Sequence, residues 1–160
     1  LSSTVISFTV SFLVLLLLTR RPVPALVVLT PVVLATLWVV GSMVILSLKW
    51  NVLTVMVTAL SLGIGIDYVI HMWRRFESER DKRDDVWEAL EETISTTGVA
   101  LVLSAGTTAL GFLVLLLSPM PVVQQFGLVT ALTVTFSLLL SIIVLPVLLL
   151  MAENNSSVSE

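Results

Sequence analysis

Residues 52–73 read VLTVMVTALSLGIGIDYVIHMW, with Asp67 as the single acidic residue in an otherwise apolar run. A bilayer core about 30 Å thick is crossed by roughly 20 helical residues at about 1.5 Å each. The stretch is therefore read as a membrane span over about 51–73, with Asn51 as its N-cap. Four more stretches meet the same test: about 2–19, closed by Arg20-Arg21; about 24–47, begun by Pro22 and Pro24 and interrupted by Pro31; about 96–117, closed by Ser118-Pro119-Met120-Pro121; and about 126–151. Residues 122–126 are expected at the interface, with a bend near Gly127, and Pro146 is expected to distort the last turns. Residues 153–160 are polar and expected to be disordered.

Composition agrees. The 160 residues are 57% hydrophobic and 12% charged, about half the charge of a soluble domain. Mean hydropathy is +1.09. The fold class is an all-α membrane protein, a five-span helix bundle without a soluble domain of its own. There is no cysteine and a single histidine, which excludes disulfides, thiolate chemistry and histidine-cluster metal sites. No phosphate loop, nucleophile elbow or metal motif is present, so an enzyme is not expected and no cofactor is implied. The Arg cluster is interleaved with acids, which argues against nucleic acid as a partner.

Residues 74–95 (RRFESERDKRDDVWEALEETIS) hold most of the charge. Val86, Leu90, Thr93 and Ile94 recur at helical spacing and Asp85 and Glu88 fit a capping box. The expectation is a short amphipathic helix over about 84–95, lying on the membrane surface. The loops after the first and third spans share a side and carry Arg20, Arg21, Arg74, Arg75, Arg80, Lys82 and Arg83, seven of the eight basic residues. The positive-inside rule then places the N-terminus outside and the C-terminus in the cytoplasm of a cell (plasma or inner) membrane. An outside start without a signal leads to the expectation that an earlier helix, with an external domain, precedes Leu1.

Asp67 is the residue with the sharpest chemistry. A carboxylate within a span costs at least about 2.5 kcal/mol, so it needs a partner, a wet cavity or a proton. It is a candidate for reversible protonation, the alternative being a polar tie between helices. His71 is one turn on and Arg74 extends the row, so Gly63, Asp67, His71 and Arg74 form a stripe toward the charged loop. Tyr68, about 100° round the helix, adds a hydroxyl; packing is its alternative role, and pairing or headgroup contact is that of His71. Small and polar rows recur elsewhere: Thr54, Thr58, Ser61 and Gly65; Thr97, Ser104, Thr108 and Gly111; Thr130, Thr133, Ser137 and Ser141. Such rows let helices approach closely, with Gly63, Gly65 and Gly111 as packing positions. Ser104, Thr107 and Thr108 are the candidates for a polar lining around Asp67.

Three segments, GIGIDYVIHMWRRF, TGVALVLSAGTTALGFLVLL and QQFGLVTALTVTFSLLLSIIVLPVLL, resemble the resistance–nodulation–division (RND) transporter superfamily, with the MMPL-type exporters of lipids and hydrophobic compounds the nearest branch. The five-span unit is also similar to a sterol-sensing domain. The resemblance covers about residues 2–151 and implies spans two to six of an RND half. It further implies that Asp67 and Tyr68 form a proton relay working against an equivalent pair in a second half or another copy, with membrane lipids as further partners. A sterol- or lipid-sensing module without transport of its own is the alternative implication.

Overall fold

The computed structural model describes residues 22–48, 52–83 and 85–157, and the first expected span lies outside them. Helix α1 is Pro22–Ile45, α2 is Val52–Arg80 and α3 is Val86–Thr93. A π-helical turn, Ile94–Gly98, joins α3 to α4, Val99–Leu113, which tightens into a 3-10 turn, Val114–Leu117. Helix α5 is Pro121–Ser157. No strand occurs among the described residues.

Each helix end has a local cause. Pro22 and Pro121 open α1 and α5, where a missing N–H costs nothing. Helix α1 closes on Ser47, whose φ of 51° is left-handed. Leu48 N–H donates to the Met43 carbonyl at 2.9 Å and Ser47 N–H to Val44 at 3.1 Å, the paired bonds of a Schellman cap. Asp85 caps α3 by accepting from the Trp87 N–H at 2.9 Å.

Helix α5 is the hub, packing against α1, α2 and α4. Thr130, Thr133, Ser137 and Ser141 form a buried polar column along it. Gly65 of α2 faces this column, where an added β-carbon would meet Ser137 Oγ and Val32 Cγ1, both at 3.3 Å. Trp38 meets Phe136 edge-to-face at 5.6 Å, and Phe112 meets Phe126 at 6.0 Å, tying α1 and α4 to α5.

The outer surface is apolar. Leu103 is 66% exposed, Leu110 66%, Leu117 85% and Ile45 84%. Val86–Leu117 and Pro121–Met151 are long and apolar enough to cross a bilayer, and Leu29–Ile45 is a shorter apolar helix. A water-soluble fold does not leave so many large aliphatic side chains uncovered; a hydrocarbon surround makes them neutral.

Two expectations are corrected, and two helices continue where a boundary was expected. The helix that carries the third expected span runs on past residue 73 to Arg80, its charged last turns held by ion pairs along the helix. The linker helix does not lie free on a membrane surface. Its Ala89 and Leu90 are buried with Met72, Trp73 and Phe76 of α2, so its apolar face is covered by protein. The helix is not broken at Gly127, since α5 runs continuously from Pro121. Residues 153–157, expected to be disordered, continue α5, where each further residue adds one backbone hydrogen bond to a helix already nucleated.

Candidate functional site

The stripe on α2 faces outward. Gly63, Asp67, His71 and Arg74 are all exposed, as their spacing of three and four residues requires if one is. Tyr68, 100° away, is 8% exposed and belongs to the core with Val69 and Met72. The adjacent pair is therefore split: the tyrosine anchors the helix while the carboxylate stands on the open face. Among the described residues no cation lies within ion-pairing distance of Asp67.

Helix α4 presents Ser104 and Thr107 exposed and Thr108 half-buried. The two threonine hydroxyls both donate to the Ser104 carbonyl at 2.9 Å. Their hydrogens are spent, and their lone pairs remain to accept from an outside donor. Gly63 and Gly111 are also exposed, with nothing within 4 Å of an added β-carbon, so neither packs another helix among the described residues.

His71 and Ser104 meet across a single groove of about 430 Å³. Its other walls are Arg75 from α2, Thr96 and Thr97 from the π turn, and Ala100 and Leu101 from α4. Asp67, Thr107 and Thr108 are not among its lining residues. The groove thus brings together one residue from the α2 stripe, His71, and two from the second polar row, Thr97 and Ser104.

Sequence reasoning missed the cluster at the charged end of this groove. Glu79, 3% exposed, is met by Arg75 at 3.2 Å, by Lys82 at 3.1 Å and by Arg83. Glu92 of α3 lies 3.4 Å from Arg83 and 3.9 Å from Arg75, which closes the α2–α3 hairpin. The Lys82 hydrogen bond, followed by the charges of Arg75, Lys82 and Arg83, holds the Glu79 carboxyl below its usual range against the opposing effect of burial. The signal was present as Arg75, Glu79 and Arg83 at steps of four. No group of three His, Cys, Asp or Glu residues that could hold a metal occurs among the described residues.

Comparison with known proteins follows the same lines. Residues 1–157 match the MMPL family. A membrane protein of Methanocaldococcus jannaschii is 34% identical over 143 residues, 89% of this chain and 37% of the relative. The hopanoid transporter HpnN of Rhodopseudomonas palustris is 34% identical over 110 residues, 69% of this chain and 12% of the relative. Patched-related protein 9 of Caenorhabditis elegans is 26% identical over 133 residues, 83% of this chain and 15% of the relative. The chain therefore spans from 12% to 37% of the length of these relatives. With a match over nearly its whole length and an apolar helical bundle to carry it, this chain is a membrane protein that belongs to the MMPL family of the RND superfamily.

Proposed function

We propose that the chain is the transmembrane portion of a proton-coupled exporter of lipids or other hydrophobic compounds, with Asp67 and Tyr68 as the relay and His71 on the path to it. The observation that carries this reading is the Asp67 carboxylate, standing on the open face of an apolar helix without a cation beside it among the described residues. A charge in that position is costly unless protonation can remove it, and a group that gains and loses a proton can bias one helix bundle against another. Tyr68 fixes the rotation of α2 by burial, which keeps its neighbour Asp67 turned outward. On this reading His71 would reach water through the groove that it lines with Arg75. Similarity to a hopanoid transporter supports a hydrophobic cargo.

On this reading five spans cross the membrane, the N-terminus outside and the α2–α3 hairpin in the cytoplasm, where its basic residues favour it. The open face carrying Asp67, Ser104 and Thr107 is covered by a second RND half or by another copy of the protein, which supplies the polar partner.

The test is cargo efflux from vesicles that hold the full-length protein under an imposed proton gradient. Asp67→Asn keeps the shape and abolishes the titration; transport is expected to lose its dependence on the gradient while the protein remains folded. Gradient-driven efflux at the unaltered rate in Asp67→Asn would remove the relay. Retained binding of a lipid, with no transport in either protein, would favour the sensing module.

A further inference from the structure

The groove beside His71 has chemistry that a proton path does not use. Arg75 lines it, and the Arg75 Nε–H is buried with no hydrogen-bond partner among the described residues. A buried guanidinium N–H without an acceptor is unfavourable, so an acceptor is expected there. Around it stand further donors: the imidazole of His71 and the hydroxyls of Thr97 and Ser104, while the Thr96 hydroxyl is occupied by the Glu92 carbonyl at 2.6 Å.

The geometry of the Arg75 ion pairs leaves room for an anion. Arg75 meets both Glu79 and Glu92 through the same terminal nitrogen, Nη2, so its Nε–H is left for a further acceptor. The depth favours a lipid. The groove begins at His71, in the last apolar turn of α2, and ends at Arg75, where the charges start. That is headgroup level for a span of this composition. Ala100 and Leu101 in its wall, and Leu103, 66% exposed, next to Ser104 on α4, offer apolar surface for acyl chains.

We propose that this groove binds the phosphate of an anionic phospholipid, with Arg75 as the principal contact and His71, Thr97 and Ser104 as supporting donors. A planar guanidinium pairs well with a phosphate, and basic pockets between spans are suited to such headgroups. Arg75 thereby joins the lipid to the Glu79–Glu92 clasp. The site shares His71 with the proposed proton path but not Asp67, so unchanged lipid retention in Asp67→Asn separates the two readings.

The test uses the full-length protein in nanodiscs of phosphatidylcholine alone and of phosphatidylcholine mixed with phosphatidylglycerol, with retained lipid counted by native mass spectrometry after transfer to detergent. The wild type is expected to retain phosphatidylglycerol selectively. Arg75→Lys keeps a cation for Glu79 but lacks the Nε–H, and should weaken that selectivity about tenfold. Glu92→Gln removes a competing carboxylate and should strengthen it, a change that mere misfolding would not produce. Equal retention of the two lipids by the wild type, or unchanged selectivity in both Arg75→Lys and the Thr97→Val/Ser104→Ala double variant, would overturn the proposal. Displacement of the lipid by excess inorganic phosphate alone would identify free phosphate as the ligand and overturn the lipid assignment.

Discussion

Gly127 of α5 lies against the backbone of the α4 end so closely that an added β-carbon would stand 2.5 Å from the Phe112 carbonyl oxygen. The same atom would lie 2.7 Å from Leu115 Cβ. Neither neighbour is the far end of a flexible side chain, so the two segments must separate to admit a methyl group. Gly127→Ala should cost about 1–3 kcal/mol, the usual range for overpacking. Gly41→Ala and Gly106→Ala, with nothing within 4 Å of the added atom and neither on the Asp67 stripe, should instead be neutral or stabilising by up to about 1 kcal/mol, because alanine is the better helix former. Unfolding of the three variants of the full-length protein in one detergent, followed by circular dichroism, checks the contrast. A Gly127→Ala protein as stable as the wild type would refute the close approach.

Glu79 makes the hairpin's response to acid specific. Its folded-state pKa is lowered by Lys82, Arg75 and Arg83 from an ordinary value of 4.5. A group with a depressed folded pKa contributes stability that is fully present above its unfolded value and lost as pH falls through the folded one. The α2–α3 hairpin should therefore keep its amide protection at pH 5 to 7, an estimate set by the usual carboxylate range of about 4 to 4.5. It should open only below that range. In Glu79→Gln the protection should be weaker throughout and show no such step. Hydrogen exchange of residues 76–92 across this pH series is the measurement, and opening of the wild type well above the ordinary carboxylate pKa would contradict the clasp.

The apolar helices were legible because long runs with so little charge leave few other solutions. The paired ends of α2 and α3 were not. Residues 74–95 look like a solvated linker when each charge is counted by itself, and only pairing across the turn makes Glu79 a buried residue. At the site, the shared face of Asp67 and His71 followed from spacing alone, whereas its outward direction, the inward position of Tyr68 and the contribution of Arg75 to the groove depend on how α2 is rotated against α5. Rotation is set by the sum of many contacts, and a single sequence does not carry that sum.

The π turn was also beyond the periodic pattern, and its role can be tested by removing a residue. Buried positions before it are Ala89, Leu90 and Thr93; from its last residue onward they are Gly98, Leu101 and Ala105. The step from Thr93 to Gly98 is five residues where an α-helix takes three or four. Every other step obeys the α period, so the π turn absorbs one extra residue without rotating either half. Deletion of Ser95, whose hydroxyl donates to the Glu92 carbonyl at 3.2 Å, should restore a continuous α-helix with both buried faces intact. Stability should change by no more than about 1 kcal/mol, the net worth of a hydrogen bond. The groove walls formed by Thr96 and Thr97 would be lost, since they belong to the wide turn. Transport by the deletion variant should fall while its melting temperature holds; collapse of the fold would show that the two faces are not in phase as described.

A chain without cysteine makes the open face easy to probe. Thr107 of α4 is exposed, and its hydroxyl hydrogen is spent on its own helix, so substitution there removes no contact to another helix among the described residues. If another copy covers the face that carries Asp67, a thiol at position 107 should approach its symmetry mate or a neighbour on the partner. In membranes containing the full-length protein with any other cysteines replaced, Thr107→Cys should form a disulfide-linked or bifunctionally cross-linked dimer under mild oxidation. A thiol placed at Leu149→Cys, a position 8% exposed in the core, should not. Cross-linking at both sites would indicate random collision. Cross-linking at neither, in a protein that transports normally, would mean that the polar partner for Asp67 comes from within the same polypeptide, as a second half would provide.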